Sequence, residues 1–148
     1  MRTIKHILDR KSRELAIIEH EKTVFEALKL MADKNIGSVI VMDGTRYLGI
    51  LSERNYARQV VLLNKSSKEL AVREIMRTDL PKLSKNDPIE KCMEIMTQLN
   101  VRYLPVVENE TLIGLISVKD LLDEVLLHQK DVIENLTHYI NTYIFRLN

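Results

Sequence analysis

The strings YLGILSERNYAR (Tyr47–Arg58) and LIGLISVKDLLD (Leu112–Asp123) lie 65 residues apart and follow one pattern. Each places a glycine after two apolar residues and adds two more apolar residues behind it. Each then has a serine three positions past the glycine, a basic residue two beyond that, and Asn or Asp next. An internal repeat constrains the fold more than any single motif, because two copies of one unit must bury their apolar faces together. Shifting the chain by 65 without gaps pairs Ser52 with Ser117, Val41 with Val106, Asn35 with Asn100 and Met31 with Met96. The same shift pairs Asn55 with Asp120, Ile36 with Val101, Arg54 with Lys119 and Val24 with Ile89. The apolar pattern keeps its register throughout. This period is too long for common solenoids, and two copies are too few for an array. The pattern predicts two half-domains about a pseudo-two-fold axis.

In the first copy, Glu14–His20 is a short apolar run suited to a strand. Thr23–Asn35 carries Val24, Ala27, Leu28 and Met31 at helical spacing. Thr23 is a natural N-cap, with Glu26 completing a capping box. Gly37–Asp43 is rich in β-branched residues and predicts a buried strand. Asp43-Gly44 signals a tight turn, Tyr47–Ser52 a return strand, and Glu53–Lys65 a second helix. The second copy repeats this order. Pro81–Ser84 is the strand; Asp87–Asn100 is the helix, with Asp87 as N-cap, Pro88 at N1 and Glu90 at N3. YLPVVE and TLIGLIS form the hairpin through Glu108-Asn109-Glu110, and a helix follows from Val118. The expected unit is β-α-β-β-α in an α/β (α+β) fold. The first repeat with an N-terminal lead-in spans 1–65, the second 66–127, and a helical extension 128–148. Ala71–Met76 (AVREIM) matches Thr3–Leu8 (TIKHIL) once a small gap is allowed.

Composition narrows the function classes. The 148 residues are 45% hydrophobic and 29% charged, which suits a globular chain. Basic residues number 22 against 21 acidic, a net of +1, so nothing favours a nucleic-acid polymer as partner. No apolar run approaches the roughly 18 residues of a membrane span. MRTIKHILDRKSRELA scatters charges and has no continuous apolar segment of the signal-peptide kind. The expectation is a cytoplasmic protein. Cys92 is the one cysteine, so no internal disulfide can form.

The repeated string has chemistry of its own. Ser52 and Ser117 stand where a strand passes into a helix, and helix N-termini present unpaired N–H groups that attract anions. Arg54 and Lys119 add positive charge. Asp120 lies about one helical turn past Ser117, where a carboxylate can accept bonds from two vicinal hydroxyls. Phosphate donors beside a ribose acceptor are what a nucleotide requires. Ser followed by Asn or Asp three later is also an ordinary cap, and one side chain can serve both ends.

The pattern Gly-apolar-apolar-Ser-x-x-Asn/Asp, closing a unit that occurs twice, resembles a tandem pair of CBS domains, a Bateman module. The matching strings are GILSERN (Gly49–Asn55) and GLISVKD (Gly114–Asp120), with NIGSVIVMD and NVRYLPVVE leading into each hairpin. The resemblance covers roughly residues 3 to 127 and is strongest to small bacterial proteins made of one such pair with a helical tail. It implies an adenosine ligand, such as AMP, ADP, ATP, NAD or S-adenosylmethionine, bound between the repeats of a regulatory energy sensor. It further implies that Ser117 meets phosphate, Lys119 adds charge, and Asp120 holds the ribose, beside Gly114 of the same motif. Ser52 and Arg54 take the phosphate roles in the first copy. Asn55 departs from the usual Asp, lacking the charge that strengthens such bonds, so the Asp120 site is expected to be the tighter. Ile36, Gly37 and Ser38, with Arg102, Tyr103, Leu104 and Pro105, are expected to line adenine pockets. Arg102 and Arg58 are within reach of phosphate, though an exposed helix charge is an equally good account of Arg58.

Other residues offer less. His6, His20, His128 and His138 have no metal-ligand spacing, so no metal site is expected. Cys92 shares a helix face with Ile89, Met93 and Met96 and reads as core. No catalytic constellation is present in the sequence, so a non-enzyme is expected. From Leu121 the chain runs without Gly or Pro. Leu122, Val125, Leu126, Gln129, Val132, Ile133, Leu136, Ile140, Tyr143, Ile144 and Leu147 form one stripe at spacings of three and four. This predicts a helix of about 25 residues, about 38 Å long, part of which must pack on a second copy of the chain or fold back on its own module. The expected protein is a homodimeric nucleotide sensor acting on a separate, unknown protein, or else a ligand-free dimerisation scaffold.

Overall fold

In the computed structural model, which describes residues 2–11 and 14–147, with side chains of the last helix described as far as 142, the two copies take the same path. The first copy runs α1 (Ile4–Arg10), β1 (Ile17–Glu19), α2 (Val24–Lys34), β2 (Ser38–Asp43), β3 (Arg46–Ser52) and α3 (Glu53–Tyr56). The second has a single 3-10 turn (Val72–Glu74) in place of α1, then α4 (Ile89–Leu99), β4 (Tyr103–Glu108), β5 (Thr111–Ser117) and α5 (Val118–Leu147). This is the mixed α and β pair with a C-terminal helix that the repeat predicts.

Local chemistry explains most of these elements. The Thr23–Glu26 capping box forms: Thr23 Oγ1 accepts the Glu26 N–H at 3.1 Å, and Glu26 Oε2 accepts the Thr23 N–H at 2.8 Å. Both α2 and α4 stop on a left-handed asparagine, Asn35 and Asn100, as helices commonly do. The β2–β3 hairpin turns at Gly44 (φ 58°), and β4–β5 at Asn109 and Glu110. Each hairpin is bulged at the same place, at Leu48 beside Gly49 and at Ile113 beside Gly114. A Cβ on Gly49 would stand 2.5 Å from the Arg77 carbonyl oxygen, and one on Gly114 2.5 Å from Leu8 Cδ2. The recurring glycine therefore marks a bulge over which another segment passes closely.

Four expectations are corrected. Pro81–Ser84 is not a strand but one parallel bridge, Leu83 with Val106; Leu83 donates to the Pro105 carbonyl and accepts from Val107, and Pro81 brings no N–H to extend the ladder. Asp87 does not cap α4: its carboxylate turns back to accept the Ser84 N–H at 2.8 Å, and Pro88 takes the cap position. The helix expected over Glu53–Lys65 keeps α geometry only to Tyr56 and widens to a π turn over Ala57–Val61. The wider turn brings Val60 into the core and leaves Val61, Leu62 and Leu63 exposed. Met93, expected beside Cys92, is 42% exposed.

The lead-ins change sides. Ile4 and Ile7 join the core formed by Ile89, Cys92, Met96, Leu104, Val106 and Ile116 of the second copy. Val72 and Ile75 join the core of Val24, Ala27, Met31, Val39 and Val41 in the first. Backbone hydrogen bonds follow the same exchange. Ile4, Lys5 and Arg2 bond Asp87, Lys85 and Ile89; Val72, Arg73 and Leu70 bond Lys22, His20 and Val24. The second trio repeats the first, shifted along the chain. Glu124 of α5, fully buried, faces Arg2 Nη1 at 3.3 Å and pairs with Arg10, fastening α1 to α5.

Past Val125 the last helix is still held at Asp131, whose Oδ2 accepts from Arg2 Nη2 at 3.1 Å, but most of its apolar side chains face away from the fold. Leu126, Val132, Ile133, Leu136 and Ile140 are exposed. The side chains of Tyr143, Ile144 and Leu147, which complete the expected stripe, lie outside the described residues.

Candidate functional site

The exchange of lead-ins leaves two clefts along the seams between the copies, with cavity volumes of about 450 Å³ and about 920 Å³. Both fall in the range of small-molecule sites. In the first cleft, Ser52, Arg54, Asn55 and Arg58 face Asn100 and Val101 across the seam. In the second, Ser117, Lys119 and Asp120 face Asn35, Ile36 and Ser38. The 65-residue shift maps one onto the other: Ile50 to Leu115, Ser52 to Ser117, Arg54 to Lys119, Asn55 to Asp120, Asn35 to Asn100 and Leu15 to Leu80. Gly37, Arg102 and Tyr103 line both clefts. A Cβ on Gly37 would meet the Tyr103 hydroxyl at 2.6 Å, so this pair forms the wall between them.

Both serines cap the turn that follows. Ser52 Oγ accepts the Asn55 N–H at 3.2 Å, and Ser117 Oγ accepts the Asp120 N–H at 3.1 Å. Asn55 Oδ1 accepts the Ser52 N–H at 3.3 Å and the Ser52 hydroxyl at 2.7 Å, and Asp120 Oδ2 likewise accepts the Ser117 N–H at 2.8 Å. The two turns differ in what lies behind them. Ser117 opens a 30-residue helix, whereas Ser52 opens the four residues of α3, which run on into the π turn without a break in helical geometry.

Charges are arranged differently in the two clefts. In the second, Lys11 Nζ lies 2.7 Å from Asp120 Oδ2 and also donates to the Leu115 carbonyl. Lys34 pairs with Glu14, and Lys119 with Asp123, a hydrogen bond that raises the Lys119 pKa. Ser38 is buried in this wall, and its hydroxyl has no hydrogen-bond partner among the described residues. In the first cleft, Arg54 Nη1 donates to the Asn100 carbonyl at 2.8 Å, the negative end of α4, and Arg77 pairs with Asp79.

Twelve of the fifteen residues expected at a site thus line one cleft or both. Leu104, Pro105 and Gly114 do not: Leu104 and Pro105 are buried in the core, and Gly114 packs under Leu8. Lys11, Arg77, Leu15 and Leu80 also line the clefts and were not foreseen. The Leu15–Leu80 pair obeys the same shift and was open to detection; Lys11 and Arg77 arrive on the exchanged lead-ins. Cys92 is buried, and burial pushes its thiol up to about 12.

A family model described as CBS domain matches residues 4–61 and again 72–127. A solved CBS-domain protein from Burkholderia ambifaria is 40% identical, with 86% of this chain and 96% of that chain covered and a TM-score of 0.83. A mitochondrial CBS domain-containing protein of Arabidopsis thaliana is 28% identical over 125 residues, 81% of this chain. The match spans 61% of that relative's length. A CBS domain pair solved with 5′-methylthioadenosine and S-adenosyl-L-methionine shares the fold at a TM-score of 0.73 and 20% identity, covering 84% of this chain and 99% of that chain.

Proposed function

This chain belongs to the CBS-domain family as a tandem pair, and on that premise we propose that it is a cytoplasmic, non-catalytic regulatory module that binds adenosine ligands between its repeats and passes their occupancy to a separate protein. The observation that carries this reading is the position-by-position correspondence of the two clefts, each with a serine and an Asn or Asp at its turn. Asp120 would hold the ribose hydroxyls, displacing Lys11; Ser117 and Lys119 would meet phosphate. Ser52, Arg54 and Asn55 would do the corresponding work in the first cleft. The adenosyl ligands of a protein with the same fold support the ligand class. Occupancy would favour one packing of the repeats over another, and that difference is what a partner can sense.

Thermal melting with AMP, ATP, NAD and S-adenosylmethionine tests the proposal. A ligand at one hundred times its Kd adds about 2.7 kcal/mol of stability, a rise of about 5–10 °C for a chain of this size. No shift with any of them at millimolar concentration leaves the second reading, a dimerisation scaffold.

The projecting part of α5 favours a second copy as a structural partner under either reading. Leu122, Leu126, Gln129, Ile133, Leu136 and Ile140 are spaced four, three, four, three and four apart. That is a heptad seam, with Leu126, Ile133 and Ile140 in one row and Leu122, Gln129 and Leu136 in the other. We propose that two copies pair along it.

A further inference from the structure

The two clefts share a scaffold but not a charge balance. The first is lined by four guanidinium groups, from Arg54, Arg58, Arg77 and Arg102, against the carboxylate of Glu53. Arg54 is spent on a neutral carbonyl, and no ion pair engages Arg54, Arg58 or Arg102 among the described residues. The position equivalent to Asp120 holds neutral Asn55. In the second cleft each lysine faces a carboxylate: Lys11 with Asp120, Lys34 with Glu14, Lys119 with Asp123. Its wall also carries the buried, unpartnered Ser38 hydroxyl, at the position occupied by Tyr103 in the first cleft.

Excess guanidinium in a concave, partly enclosed site favours a ligand with several negative charges, and Arg suits phosphate because its planar fork binds two oxygens at once. A site whose lysines are each paired, with a carboxylate that a diol can take over from Lys11 and one orphaned hydroxyl, favours a diol with little charge, since a lone buried hydroxyl gains most from a polar partner. We propose that the clefts sort adenosine ligands by charge. The cleft at Arg54, Arg58 and Arg102 takes the polyphosphate of a nucleoside triphosphate, and the cleft at Asp120 and Ser38 takes a nucleoside or monophosphate held by its ribose. This assignment rests on the nucleotide-binding reading above. Arg102 borders both clefts and has no counterpart cation, because Gly37 occupies the equivalent position. A polyphosphate that recruits it into the first cleft withdraws it from the second.

Calorimetric titration of the full chain with ATP, AMP and inorganic tripolyphosphate tests this, on wild type, Arg58→Gln and Asp120→Asn. Arg58 is exposed and supports no described contact, and unliganded melts of each variant check the fold. Arg58→Gln should weaken ATP about tenfold or more, the worth of a charge-assisted hydrogen bond, and change AMP by less than about twofold, as independent sites do. Asp120→Asn should do the reverse. Tripolyphosphate should displace ATP and not AMP. An unchanged ATP affinity in Arg58→Gln, or tripolyphosphate that fails to compete with ATP, overturns the sorting while nucleotide binding stands. AMP binding without ATP binding has the same meaning. Failure of every adenine nucleotide overturns both.

Discussion

Gly49 and Gly114 hold equivalent places in the repeated string, yet replacing them with alanine should have unequal effects. Both occupy bulged hairpins with ordinary backbone angles, so neither substitution strains φ and ψ. The neighbours differ. An alanine Cβ at 49 would lie 2.5 Å from the Arg77 carbonyl oxygen and 3.2 Å from its carbon. Arg77 is bonded there to Ile50 in both directions, at 2.8 and 3.0 Å. Relief requires moving backbone and weakening those two bonds. Overpacking costs about 1–3 kcal/mol and weakened hydrogen bonds add about 1 kcal/mol; less the about 0.4–1 kcal/mol that a stiffer unfolded chain returns at either glycine, the net loss is about 1–3 kcal/mol. At 114 the obstacle is Leu8 Cδ2, the end of a half-buried side chain that can rotate. Its cost is largely offset by the about 0.4–1 kcal/mol gained from a stiffer unfolded chain. Gly49→Ala should therefore lower Tm by about 3–9 °C, and Gly114→Ala by little. Reversible thermal or urea denaturation of the two variants decides the matter. Equal losses, or a larger loss at 114, would refute the argument that backbone against side-chain end sets the cost.

Other consequences can be measured directly. The Cys92 thiol, pushed up to about 12 chiefly by burial and further by Asp87 and Asp120, should resist a disulfide reagent at pH 8 until the chain unfolds, then react at once. Glu108 accepts the Lys85 N–H and the Ser84 hydroxyl, which hold its carboxyl below the ordinary 4.5. A depressed carboxylate stabilises the fold above 4.5 and loses that contribution as pH falls through its folded value. Glu108→Gln should thus lower Tm at neutral pH, and the gap to wild type should close as pH falls below 4.5 and through the lower folded value. Ile133→Asp, on the projecting part of α5, should leave the monomer's melting unchanged to within about 0.5 kcal/mol but shift the mass measured by light scattering from dimer to monomer.

The repeat, the hairpins and the two internal helices were legible because their signals are local. Thr23 and Glu26 lie three residues apart, and the apolar stripe of α2 needs no partner to be recognised. What was lost depends on contacts between distant positions. Leu83 makes one bridge where a strand was expected, because Pro81 cannot donate to a longer ladder. Asp87 looked like a cap by position, but Ser84 offered its carboxylate a nearer N–H. The π turn after Tyr56 follows from Val60 reaching the core, which no spacing rule anticipates. At the clefts, the repeated strings located the turn residues on both sides of the seam, because a shift of 65 carries one set onto the other. Lys11 and Arg77 escaped because they come in on segments whose neighbours belong to the other copy. Leu104 and Pro105 follow Tyr103 along β4 into its buried stretch and line neither cleft.

The crossing of the lead-ins has an evolutionary reading. Each half embraces an arm supplied by its sibling, so a lone ancestral copy would have found the same grip on an identical molecule. Tandem fusion turned that handshake into a single polypeptide, and the stretch around Asn64 and Lys65 became a tether. Cleavage there should leave two fragments that still migrate together, each clasped by the other.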